Sequence, residues 1–250
     1  MDEGMFDLKG YGASILEGAW ITLEVALLSV LVAVVLGMCG ALAKLSKNRI
    51  AKGAATAYTT IVRGIPDLIL MMLIFFGGQM FLNFLCTQIN ERINNYLTES
   101  DPNHEWISYV PDYIDVSPFI AGVLAIGFIF GAYMAETFRG AILAVERGQL
   151  EAAYAYGMSP WQVFYRVLFP QMVRHALPGF GNNWLVLLKT TALVSVIGLD
   201  DMVRKAGLAA GSTQLPFTFY MAVAFIFLVF TAVSTALLRW AEIRYSIKTR

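Results

Sequence analysis

Residues 116–135 read VSPFIAGVLAIGFIFGAYMA, an uncharged run held between Asp115 and Glu136. A helix needs about 20 mostly apolar residues to cross a bilayer, and this run supplies them. Other gaps between charges behave the same way. Glu24 and Lys44 enclose 25–43, Asp67 and Glu91 enclose 68–90, and Lys205 and Arg239 enclose 206–238, which Pro216 trims to about 216–238. A fifth run over roughly 182–200 is interrupted by Lys189. The reading is five membrane spans, over about 17–43, 64–86, 116–141, 182–200 and 216–240, in a single domain covering 1–250. It makes the chain an all-α polytopic membrane protein.

Composition agrees. Hydrophobic residues make up 58% of the 250 and charged residues 14%, with a mean hydropathy of +0.62. A soluble domain carries about 45–50% apolar and about 25% charged residues, so too little charge is present to cover a water-facing surface. The formal net charge is zero, which gives no basic excess for a nucleic-acid partner. Cys39 and Cys86 make no disulfide framework, and His104 and His175 are too scattered for a metal site. The opening MDEGMFDLKG is acidic where a secretory signal is basic, so no cleavable signal peptide is expected.

Charge also sorts by side. Lys44, Lys47, Arg49, Lys52 and Arg63 follow the first span with no acid among them. Arg139, Arg147, Arg166 and Arg174 follow the third, and Arg239, Arg244, Lys248 and Arg250 follow the last. Glu91, Glu99, Asp101, Glu105, Asp112 and Asp115 crowd the loop after the second, against Arg92 alone. Basic loops stay in the cytoplasm. The expected topology puts the N-terminus outside and the C-terminus inside, with 13 of the 18 basic residues inside.

The cytoplasmic stretch 144–180 is not polar. Residues 148–170 read GQLEAAYAYGMSPWQVFYRVLFP. Gln149–Tyr156 favours a short helix that Gly157 can end. Ser159 suits an N-cap and Pro160 the first helical position, starting a second helix from Trp161 toward Phe169, before Pro170. Two short helices with a glycine hinge and exposed aromatics form either a docking surface or an amphipathic pair lying on the membrane.

These residues carry a resemblance. Glu151, Ala152 and Ala153, then three residues, Gly157, then nine residues and Val167-Leu168-Phe169-Pro170 resemble the EAA loop of ABC-importer permeases. The departures are Val167 for isoleucine and Phe169 for leucine. Arg63-Gly64-Ile65-Pro66-Asp67 resembles a segment of the polar amino-acid permeases, as does Gly131-Ala132-Tyr133 with Glu136 and Arg139-Gly140-Ala141. Most of the chain is similar to the HisQ-type subunits of importers for basic amino acids.

The resemblance implies a type I ABC importer permease whose coupling loop, through Glu151, Ala152, Ala153 and Gly157, sits in a groove of an ATPase subunit. It implies a HisM-like second permease subunit, an ATPase dimer, a periplasmic binding protein, an inner-membrane location and import of histidine, lysine, arginine or ornithine. Octopine or nopaline permeases are the alternative, and a passive channel, which needs no EAA surface, is the remote one. The sequence has no G-x-x-x-x-G-K-[ST] phosphate loop. The chain is therefore expected to be non-catalytic and to hold no cofactor, with ATP and Mg bound by the partner ATPase.

Ionisable and polar groups inside spans are functional candidates because their unpaired burial is costly. Glu24 has no basic residue three or four positions away and is the leading candidate for contact with a cationic substrate. Glu136 has Arg139 one helical turn on. Asp67 follows Pro66, where an acid suits a helix start. Lys189 is expected near the inner end of its span, snorkelling to the interface. Asn182, Asn183, Thr190, Thr191 and Ser195 are candidate lining of a passage.

Overall fold

The computed structural model describes residues 8–100, 105–111 and 113–245. Asp101, His104, Asp112, Lys248 and Arg250 fall outside the described residues, as do the first seven. Nine α-helices are described: α1 (Gly12–Leu45), α2 (Arg49–Gly64), α3 (Asp67–Ser100), α4 (Pro118–Leu143), α5 (Arg147–Ala155), α6 (Pro160–Val163), α7 (Phe169–Thr190), α8 (Met202–Thr213) and α9 (Pro216–Tyr245). A π-helical turn, Phe164–Leu168, joins α6 to α7, and a 3-10 stretch, Thr191–Ile197, extends α7. Among the described residues, five segments are long and apolar enough to cross a membrane, beginning at Gly12, Asp67, Pro118, Pro160 and Pro216.

The centre is the pair α1 and α4, packed in parallel. Small residues set their separation. A Cβ on Gly37 would overlap Met134 Cβ, and one on Gly127 would lie 2.6 Å from Val32. Backbones this close leave room for glycine only, the usual means of packing helices in lipid, where no hydrophobic force drives association. Ser29 adds a hydrogen bond from its hydroxyl to the Val123 carbonyl at 3.3 Å. The apolar core continues through Ile126, Ile129 and Phe130 of α4 to Leu187 and Leu188 of α7. A smaller core joins α1, α8 and α9 through Ile15, Met202, Ala206 and Phe219.

Three elements differ from the sequence expectation. The basic segment after the first span is a helix, α2, capped by the Asn48 side chain, which accepts from Ile50 and Ala51 N–H. Its buried Ala55, Thr59 and Val62 recur at four and three residues, a narrow stripe that packing rather than overall hydrophobicity rewards. Second, the helix that carries the second expected span, α3, runs on through Glu91 to Ser100, well beyond 86. Third, the helix that carries the fourth expected span, α7, already begins at Phe169, well before 182. Pro170 fails to stop the helix. The π turn before it bonds Phe169 N–H to Phe164 O, and this wider winding accommodates a ring that would otherwise crowd the carbonyl four residues back.

Candidate functional site

The EAA segment is built as two helices around a left-handed glycine. α5 ends with Tyr156 N–H donating to Ala152 O at 3.0 Å and Met158 N–H to Ala153 O at 3.2 Å. Gly157 has φ +77, the region that side chains disfavour. Ser159 then opens α6 with a capping box: Gln162 N–H donates to Ser159 Oγ, and Ser159 N–H donates to Gln162 Oε1. Ala153 is buried beneath the pair, while Glu151 and Ala152 are exposed. Tyr154, Tyr156, Trp161 and Tyr165 stand outward, and Trp161 stacks on Phe164 with ring centres 5.9 Å apart. A rigid, turned pair of helices with an aromatic outer face is suited to sit in a groove of another protein.

At the α4 end nearer this loop, Glu136 joins three elements. Arg139 Nε donates to Glu136 Oε2 at 2.9 Å, as their spacing suggests. Lys44 of α1 donates to Glu136 Oε1 and also to Thr59 Oγ1 of α2, the latter at 2.6 Å. Both Glu136 oxygens are thus engaged by protein cations. Nearby, the Arg63 guanidinium lies 5.5 Å from the centre of the Tyr133 ring. Lys44 is the member that sequence reading missed. It lies 92 residues from its partner, and no local spacing signals it.

Along α7, most of the candidate polar groups are absorbed locally. Asn183 donates to Thr137 Oγ1 at 2.9 Å. The hydroxyls of Thr190, Thr191 and Ser195 donate to Val186 O, Leu188 O and Ala192 O of their own helix. Asn182 and Lys189 are exposed, two turns apart on one face, and neither has a hydrogen-bond or ion-pair partner among the described residues. Asn183 sits level with Thr137 and Val194 level with Gly122, so Lys189 lies alongside the middle of α4. Glu24 lies on the N-terminal side of the Ser29–Val123 contact along α1, half-buried and without a partner among the described residues.

One further carboxylate is conspicuous. Asp201, between the fourth and fifth spans, is 1% exposed. Its Oδ1 caps α8 by accepting from Arg204 N–H at 2.9 Å, while Oδ2 has no partner among the described residues. Burial pushes its carboxyl up to about 6, with backbone N–H donors and Arg204 pulling the other way. Between the ordinary value of 3.8 and about 6, the folded protein holds a proton that the unfolded chain has released. Stability therefore falls as pH rises through that window and is lowest above it. Asp201→Asn keeps the cap and removes the charge. It should stabilise the protein at pH 7 by on the order of 2 kcal/mol and flatten the pH dependence between about pH 4 and 6. Melting in detergent across that range checks this, and an unchanged pH profile refutes it.

Helices arranged for the bilayer, a two-helix projection beyond it and polar groups left open within it define a membrane transport subunit. The chain belongs to the family of binding-protein-dependent transport system inner membrane components, matched over residues 29–247. It is 47% identical over 240 residues, 96% of each chain, to the histidine/lysine/arginine/ornithine transport system permease protein HisQ of Salmonella typhimurium. It is 38% identical over 239 residues to the octopine transport system permease protein OccQ of Rhizobium meliloti, covering 96% of this chain and 93% of that one. A chain from the crystal structure of an amino acid ABC transporter with histidines superimposes with a TM-score of 0.76 at 30% identity, covering 98% of this chain and 100% of that one. The fold is that of a type I ABC importer permease.

Proposed function

We propose that this chain forms half of the membrane pathway of an ATP-driven importer for basic amino acids. The observation that carries the reading is its 47% identity, across 96% of both chains, to a permease named for histidine, lysine, arginine and ornithine. The N-terminus faces the outside of the inner membrane and the C-terminus the cytoplasm. The second half of the pathway is a HisM-like permease subunit. An ATPase dimer, which binds ATP and Mg, receives the segment of Glu151, Ala152, Ala153 and Gly157. A periplasmic binding protein delivers the substrate. The capped, aromatic-faced geometry of α5 and α6 supports the coupling role.

Within the pathway, Glu24 meets the cationic side chain near the outer end, and Lys189 meets the carboxylate common to all these substrates at mid-depth. Asn182 lines the same α7 face. Thr190, Thr191 and Ser195 are spent on their own helix and shape its outer turn. Asn183 fixes α7 to α4, and Glu136 is held by Lys44 and Arg139. A carboxylate in a low-dielectric passage attracts a cation far more strongly than in water.

In a reconstituted complex, Glu24→Gln should lower ATP-driven lysine or arginine uptake several-fold more than uptake of neutral histidine. Lys189→Met should lower all three about tenfold or more, the scale of one charge-assisted contact. Equal loss for every substrate with Glu24→Gln points to a structural role, and full activity of both variants removes the two residues from the path.

A further inference from the structure

Beyond the level where α4 begins, α3 keeps going. Gln79 accepts from Val116 N–H at 2.9 Å and donates to Ile114 O, beside the first turn of α4. The helix continues for 21 residues to Ser100, about 30 Å at 1.5 Å per residue. Its sequence over 87–100, TQINERINNYLTES, is polar. The chain returns along it as a strap whose described residues, 105–111 and 113–117, have no regular structure.

That strap is held by amide side chains rather than by a backbone ladder. Asn83 accepts from Ile114 N–H at 2.8 Å. Asn90 accepts from Tyr109 and Val110 N–H at 2.9 and 3.0 Å and donates to Val110 O at 3.0 Å. Asn94 accepts from Ile107 N–H at 3.0 Å and donates to Ile107 O at 2.8 Å. Positions 79, 83, 90 and 94 share one face of α3, and Asn90 and Asn94 are almost wholly buried by the strap. Each amide mimics a peptide group, so the strap is fixed without a neighbouring strand. The strap is thereby pinned along α3 at Asn83, Asn90 and Asn94.

What the arm displays identifies its partner. Tyr96, Trp106, Tyr109 and Tyr113 are exposed on it. Glu91, Glu99, Glu105 and Asp115 are exposed as well, against Arg92 alone among the described charges of the arm. A segment that lies on a bilayer surface is basic, so acidity argues against lipid. Aromatic anchors within a charged rim are the composition of a protein interface. The family is binding-protein-dependent, and a soluble protein arriving from outside is the partner that a post projecting from the membrane can reach.

We propose that the outer arm, α3 from 87 to 99 with the described strap residues 105–111 and 113–117, is a docking post for the binding protein. Its aromatics anchor an apolar contact, and its carboxylates steer a lobe carrying lysines and arginines. The proposal rests on the topology and importer reading above.

The test is ATPase stimulation in a complete complex in nanodiscs, titrated with arginine-loaded binding protein. Trp106→Ser with Tyr113→Ser should raise the half-maximal concentration about tenfold and leave the rate at saturation within about twofold. Glu91→Lys with Glu105→Lys should do the same and weaken its dependence on salt. A photo-crosslinker at Tyr113 should form an adduct with the binding protein. An unchanged half-maximal concentration, or an adduct only with lipid or the second permease subunit, overturns the docking role. Absence of any stimulation in the unaltered complex overturns the importer reading itself, and the docking role with it.

Discussion

Replacing Glu136 with leucine should destabilise the permease by about 3–5 kcal/mol, the scale of removing one partner from a buried ion pair. The Lys44 side chain is 11% exposed and that of Glu136 22% exposed. With the carboxylate gone, the Lys44 ammonium would keep a single acceptor, Thr59 Oγ1, in surroundings made by α1, α2 and α4. Arg139 is more open, at 39%, and can turn toward water. Most of the cost should therefore trace to Lys44. Lys44→Met combined with Glu136→Leu should recover most of the loss, because two apolar side chains of similar volume leave no stranded charge. The measurement is folded yield in membranes and melting temperature in detergent for both single variants and the pair. A single variant as stable as the parent, or a pair no better than Glu136→Leu, would refute the triad as a structural lock. The same series separates the lock from a substrate role, since a pathway residue would lose uptake at full folded yield.

Gly157→Val should cut substrate uptake and ATPase stimulation more than tenfold while the protein still folds. The reason is conformational and local. At φ +77 a side chain strains the backbone by about 1–2 kcal/mol, more when β-branched. A Cβ there meets nothing within 4 Å, so crowding is not the cause. The strain is relieved if φ turns negative, which re-aims α6 relative to α5 and takes Glu151 and Ala152 out of register with Trp161 and Tyr165. On the proposed coupling role, a misaligned pair no longer fits the ATPase subunit. Graded substitution gives the control: asparagine, which tolerates the left-handed region, should retain most activity, alanine less and valine least. Equal activity of all three would show that the turn is not used in coupling. A cysteine at the exposed Ala152 should crosslink to the ATPase in the parent and much less in Gly157→Val.

Several features were legible in the sequence because the bilayer imposes them. A core about 30 Å thick with no water leaves long uncharged runs as its signature, and 116–135 and 25–43 carry it without help from neighbours. The α5–Gly157–Ser159 turn was equally legible. Its cap, its proline and its glycine act within a few residues of one another, so local chemistry settles the conformation. Glu136 with Arg139 belongs to the same class, a pair one helical turn apart.

What needed the tertiary structure depends on groups distant in the chain. α2 is too polar to register as a span, and it folds because Ala55, Thr59 and Val62 find α1 and α4. Lys44 reaches Glu136 only after those helices pack in parallel. The helix runs on through Pro170, where local chemistry predicts a stop, because a π turn can absorb the ring once both flanks are held. The level of Lys189 beside the middle of α4 follows only from Asn183 meeting Thr137 and Val194 meeting Gly122. Local rules fix the conformation of a segment, and the bilayer fixes which segments cross. Only packing decides which polar groups are satisfied by a distant helix and which are left open for a substrate or a partner.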